Sequence, residues 1–169
     1  EYKELFKVTG GLPGRLKTLR RLLENENYSL DKINNTTTYK NWIELDCESV
    51  DNTKPIINGI LSLISLNIRL FSLEEIANIL SIPIEEATIH IKNIRVLELN
   101  DGFVNFVSTE HKKYFANYLR GNKKQIEILL IQYLVNEKTI NSKFELSKLY
   151  ADREEWSKII EMIDDSYLQ

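Results

Sequence analysis

The chain is poor in the residues that carry chemistry or covalent staples. Its 169 residues include one cysteine, Cys47, which excludes an intramolecular disulfide and a zinc site of the usual multi-cysteine kind. The two histidines, His90 and His111, stand far apart without partners at metal-ligand spacing, so no metal is expected. No run of Gly, four residues and Gly-Lys-Ser/Thr occurs, so there is no P-loop. By spacing, no carboxylate pair, Cys/His dyad or Ser/His/Asp set stands out, which argues against catalysis by this chain alone. No apolar run reaches membrane-spanning length, and the amino end shows no basic-then-apolar signal pattern. These absences point to a cytoplasmic setting without a membrane partner. A net charge of −3 gives no strong pull toward a polyanion. The chain begins at Glu1, without an initiator methionine, and enters a helix-like segment at once. It therefore reads as a piece of a larger protein.

What is present is a patterned 43% of hydrophobic residues, enough for one or two small cores. The clearest pattern runs from Leu61 to Leu119. An apolar helix around Ile60–Ile64 is followed by Phe71-Ser72-Leu73-Glu74-Glu75, where Ser72 and Glu75 have the spacing of a capping box. Pro83 ends that short helix and suits the first turn of the next, whose Ile84, Ala87, Ile91 and Ile94 recur at helical spacing. Val96–Leu99 and Phe103–Ser108 flank Asn100-Asp101-Gly102, residues that tolerate the positive φ of a tight hairpin. Three helices and a hairpin in this order predict a winged helix.

Upstream, Thr9-Gly10-Gly11-Leu12-Pro13-Gly14-Arg15 precedes a helix carrying Leu16, Leu19, Leu22 and Leu23. Two readings stand. It is a plain glycine-rich loop before an amphipathic helix, or an anion site in which helix amides and Arg15 meet a phosphate. Residues 25–55 are polar, with a loop at Asn34–Thr38 and short helices near Leu30–Ile33 and Lys40–Val50. Trp42, Ile43 and Leu45 are expected to pack; Tyr39 and Trp42 serve either the core or a partner surface. Asp51–Pro55 is the candidate linker.

Downstream, Glu110–Leu119 predicts a helix with Tyr114, Phe115, Tyr118 and Leu119 inward, closed by Gly121 as a C′ residue. Ser108 or Thr109 can cap it. Lys123–Val135 is strongly amphipathic through Ile126, Leu129, Leu130, Tyr133 and Leu134, and weaker helices follow at Ser142–Tyr150 and Glu154–Ile163. Leu146, Leu149, Tyr150, Trp156, Ile159, Ile160 and Ile163 offer facing stripes, as in antiparallel, tetratricopeptide-type helix pairs. The fold class is thus mainly α: a helical lid in 1–54, a winged helix with a small β-hairpin in 55–120, and the start of helix pairs in 121–169.

A winged helix raises the question of DNA. Between Leu73 and Arg120 there are seven acids against five bases, and the third helix opens with Glu85-Glu86. That balance opposes the neutralisation of phosphates on which DNA affinity rests.

The order of motifs resembles the STAND-class NTPases, a branch of the AAA+ ATPases that includes immune receptors and bacterial antiviral proteins. Gly11-Leu12-Pro13 is similar to the Gly-Leu-Pro motif that begins the helical lid. A winged helix and ligand-sensing helical repeats follow. The resemblance implies that Pro13 packs near the adenine of bound nucleotide, with Gly11 and Leu12 shaping its turn; Arg15 joins on electrostatic grounds. In many members a winged-helix histidine after the second wing strand contacts the β-phosphate of ADP. Here that place holds Val107-Ser108-Thr109, with His111 a few residues late; Phe106-Val107-Ser108 followed by His111-Lys112 resembles the variant of bacterial antiviral members. Ser108 and His111 are therefore the candidate phosphate contacts. The implied parent is an ATPase switch that binds ADP or ATP with Mg²⁺ through an upstream core. Its repeats would meet a protein ligand or drive self-oligomerisation. The present stretch requires no cofactor by itself.

Overall fold

The computed structural model describes residues 9–10, 13–24 and 39–164. Two helices lead: α1 (Pro13–Leu23) and α2 (Tyr39–Glu48), which pack on each other. Leu19 and Leu22 of α1 and Trp42, Ile43 and Cys47 of α2 are buried. Trp42 and Ile43 thus pack as expected, while Leu45 is half-buried. The Tyr39 side chain, Gly11, Leu12, the helix expected near Leu30–Ile33 and the loop at Asn34–Thr38 lie outside the described residues.

Helix α3 (Pro55–Ser65) is the hub. Pro55 starts it because its ring presets helical φ and the amide it lacks has no acceptor in a first turn. Ile57, Ile60, Leu61, Leu63 and Ile64 are buried, so α3 is apolar nearly all round, as a central helix must be. Around it lie β1 (Phe71–Ser72), α4 (Leu73–Leu80), α5 (Ile84–Asn93), β2 (Leu97–Asn100), β3 (Phe103–Phe106) and α6 (Thr109–Tyr118). The capping box forms: Glu75 N–H donates to Ser72 Oγ at 3.2 Å, and Ser72 N–H donates to Glu75 Oε2 at 2.8 Å. Strand order is β1-β3-β2, all antiparallel, with Asn100 opposite Phe103 across a two-residue turn. Asp101 (φ 51°) and Gly102 (φ 84°) make that turn, both left-handed as the twist of a tight hairpin requires. This order of elements is a winged helix. Strand β1, too short to show an alternation, was not legible in the sequence.

A 3₁₀ turn (Arg120–Asn122) leads to α7 (Lys123–Glu137), α8 (Ile140–Asp152) and α9 (Trp156–Asp164), each packed on the one before. The molecule is mainly helical with one small sheet, the fold class expected. Several local expectations are corrected. Gly121 is not a left-handed C′ residue, because the chain continues into the 3₁₀ turn with Leu119 as the cap. Tyr118 is exposed; of the four residues expected inward, Phe115 and Leu119 are buried, with Tyr114 at the margin. Ile84 is also exposed, so the α5 stripe is Ala87, Ile91 and Ile94. Trp156, Ile160 and Ile163 face outward from α9, and Ile159 and Met162 supply its packed side.

Candidate functional site

The sequence-derived candidates fall at two places. Pro13 is exposed at the first position of α1, and Arg15 is half-buried one residue beyond Gly14. Gly10 takes φ +60°, and a Cβ there would stand 3.8 Å from Arg15 Nη1, so the turn brings backbone and guanidinium together. Ser108 and His111 sit at the other place, the amino end of α6. Ser108 is its N-cap: the His111 backbone N–H donates to Ser108 Oγ at 3.4 Å.

His111 has no exposed surface, and both of its ring nitrogens have partners. Nδ1 lies 2.8 Å from Ser108 Oγ, and Nε2 lies 3.1 Å from Asp46 Oδ2 on α2. An ionised carboxylate only accepts, so Nε2 carries a proton and donates to Asp46, while Nδ1 shares its hydrogen bond with the Ser108 hydroxyl. Asp46 Oδ2 also accepts from Arg21 Nε of α1 at 3.1 Å. Arg21 reaches Thr18 Oγ1 at 3.4 Å, and the Thr18 hydroxyl donates to the Gly14 carbonyl at 3.1 Å. A continuous polar chain therefore runs from the winged helix through α2 to the first turn of α1. Arg95, just after α5, donates to the Arg21 carbonyl, and Lys17 pairs with Glu98 of β2 at 3.1 Å. These contacts dock α1 against the wing side of the winged helix.

The charges in this chain are largely sequestered. The Asp46 side chain is 1% exposed and that of Arg21 13%. Burial, the largest influence, would raise the Asp46 carboxyl, but the hydrogen bond from His111 and the positive charge and hydrogen bond of Arg21 outweigh it and hold it below the usual carboxylate range. Next to it, burial first and the Asp46 charge second push the Cys47 thiol far up, which makes it an unreactive core residue. Arg21 Nη1 is buried without a hydrogen-bond partner. The Ser108–His111–Asp46 order invites comparison with a nucleophilic triad. Its geometry does not support one, because the imidazole is sealed from solvent and Ser108 is committed to capping its own helix.

Two consequences follow for the candidate residues. Ser108 and His111 are brought together, whereas Pro13 and Arg15 stand at the far end of the polar chain. A phosphate contact by His111 would require one of its present bonds to open. Sequence reasoning missed Thr18, Arg21 and Asp46. A signal existed: Ile43, Asp46, Cys47 and Val50 fall at helical spacing, an acid set inside an apolar stripe, which calls for a buried counter-charge.

Beside this network a cleft of about 610 Å³ opens between α2 and α6, lined by Ile43, Glu44, Glu110, Lys113, Tyr114 and Tyr118. Two carboxylates to one ammonium oppose a polyphosphate there. Among the described residues no cluster of His, Cys, Asp or Glu could hold a metal ion, and no helix is long and apolar enough to cross a membrane. Compared with known proteins, the chain matches no family model, no curated protein and no solved structure.

Proposed function

We propose that this chain is the lid and winged-helix part of a STAND-type ATPase, a nucleotide-dependent switch of bacterial defence that couples ligand sensing to oligomerisation. The observation that carries this reading is the buried polar chain from Ser108 and His111 through Asp46 to Arg21 and Thr18. It makes the position of α1 dependent on the winged helix, as a switch that moves the two together requires. In this reading α1's first-turn amides and Arg15 face the nucleotide phosphates, and Pro13 lies by the adenine. His111 acts as the coupling residue, holding lid to winged helix while the nucleotide, supplied with Mg²⁺ by an upstream core, favours one of two packings. The upstream core carries hydrolysis. Helices α7–α9 begin the surface for a protein ligand or a second subunit.

The test is Pro13→Ala in the parent protein. ADP retention should fall and basal activity rise, because the closed packing loses ligand-dependent stabilisation; unchanged ADP content would count against the reading.

The winged-helix topology itself favours a second reading, a DNA-binding regulator. Against it, α5 presents Ile84, Glu85, Ile89, Lys92 and Asn93 to solvent, a single base offset by an acid where phosphate contacts would need several bases. Duplex binding measured at two salt concentrations separates the readings, since phosphate-driven affinity falls steeply with salt.

A further inference from the structure

Helices α7 and α8 are tied to the winged helix through one guanidinium. Arg69 lies between α3 and β1, two residues after Asn67, whose φ is 60°. Its Nη2 donates to Glu75 Oε1 of α4 at 2.6 Å and to Glu137 Oε2 of α7 at 3.4 Å. Its Nη1 stands 3.2 Å from Glu145 Oε2 of α8. The guanidinium carbon also sits 5.6 Å from the centre of the Phe71 ring and 5.9 Å from that of Tyr133.

One positive charge thus serves three carboxylates, and they are served unequally. Glu75 is anchored twice, since its other oxygen accepts the Ser72 N–H. Glu137 has a hydrogen bond. Glu145 is the most buried of the three, with 11% of its side chain exposed, and its Oε2 is out of line for a hydrogen bond. The charged groups that act on Glu145 are Arg69 from the loop, Glu75 from α4, Glu137 from α7 and Lys148 on its own helix, and Glu74 of α4 and Tyr133 of α7 border the same cluster. Lys148 is solvent-exposed and lies over the Phe144 ring, and Lys158 of α9 lies over Tyr150, five residues along. The cluster is short of positive charge.

We propose that this cluster is an acid-tightened joint: in acid one of its three crowded carboxylates, Glu145, is neutralised and α7–α8 pack more firmly on the winged helix. Protonation removes one of three crowded like charges and leaves Arg69 to Glu75 and Glu137. The cost is the weak, unaligned attraction of Arg69 for Glu145. The direction of the Glu145 titration agrees: burial, the largest influence, raises the carboxyl, Arg69 opposes it, and Glu137 and Glu75 add to it. A carboxyl raised in the folded state stabilises the fold below its ordinary range and loses that contribution as pH climbs through the raised value.

The experiment compares thermal unfolding of this chain and of its Glu145→Gln variant from pH 8 to pH 5. The difference between the two proteins cancels groups remote from Glu145 and leaves those of the cluster itself. The variant should melt about 2–4 °C higher at pH 8, and the gap should narrow as pH falls. In the parent, α7–α8 amides, corrected for intrinsic exchange, should gain protection as pH falls, and Glu145→Gln should abolish that gain. Glu137→Gln supplies an independent check: with one like charge gone, the pH midpoint of that gain should move lower. A variant that melts lower or fails to fold at pH 8, a gap that does not change with pH, or an unmoved midpoint in Glu137→Gln would each overturn the proposal.

Discussion

Replacing Asp46 with alanine tests the polar chain at its narrowest point. The substitution removes the one acceptor shared by Arg21 and His111, in a place where the Asp46 and His111 side chains are 1% and 0% exposed. His111 Nε2–H is then left without its partner inside the fold. Arg21, whose Nη1 already lacks a hydrogen bond, loses its Nε partner as well. Breaking a buried pair by removing one member costs about 3–5 kcal/mol, because the survivor remains desolvated. Arg21 keeps 13% exposure and can turn toward water, so the low end, about 3 kcal/mol, applies. In a chain of this size that corresponds to a loss of about 6–12 °C in Tm, against a total stability on the order of 5–15 kcal/mol.

The loss should depend on pH in a defined way. Asp46 is held below the usual range when folded, so its contribution is complete above about pH 5 and disappears as pH falls through the depressed value. The Tm gap between parent and Asp46→Ala should therefore narrow in acid below about pH 4. Calorimetry at stepped pH reads both effects. A second substitution, Arg21→Ala in the Asp46→Ala background, should cost much less than Arg21→Ala alone, since the two share one interaction. A Tm loss under about 2 °C for Asp46→Ala, or full additivity of the pair, would refute the view that this network holds α1 and α2 to the winged helix.

Other perturbations probe neighbouring parts of the fold. Ser108→Ala removes the N-cap of α6 and the partner of His111 Nδ1 and should cost about 1–2 kcal/mol by urea denaturation. Gly102→Ala meets open space but forces φ +84° on a residue with a Cβ, so about 1 kcal/mol should be lost from the wing, with exchange increased in β2 and β3. Phe115→Ala empties a fully buried site stacked on Phe106 at 5.6 Å between ring centres and should cost about 3–5 kcal/mol.

The winged helix was legible because its signals are local. The Ser72–Glu75 capping box, the Pro83 break and the Asp101-Gly102 turn each act within four residues, and the apolar spacing between them fixes which faces turn inward. What stayed hidden depends on residues distant in sequence. Asp46 and His111 are 65 positions apart, and only the packing of α2 on α6 makes them partners. The outward turn of Trp156, Ile160 and Ile163 was missed for a related reason. A helix with apolar residues on two sides does not say which side its neighbour takes; α8 meets Ile159 and Met162 instead. Strand β1 owes its existence to the edge of β3, against which Phe71 and Ser72 pair with Val104 and Phe103. His111 drew attention for its place after the wing, and that place is what lets it reach Asp46.

The nucleotide switch is tested most directly by purifying the protein encoded by the whole gene, releasing its bound small molecules with acid and identifying them by chromatography. Co-purified ADP or ATP is the expected result, and it would make Pro13, Arg15 and the Asp46–His111 pair the next residues to vary. A protein free of nucleotide, from a gene with no P-loop upstream of Glu1, would contradict the switch and leave the winged helix to be explained as a DNA-binding or protein-docking module.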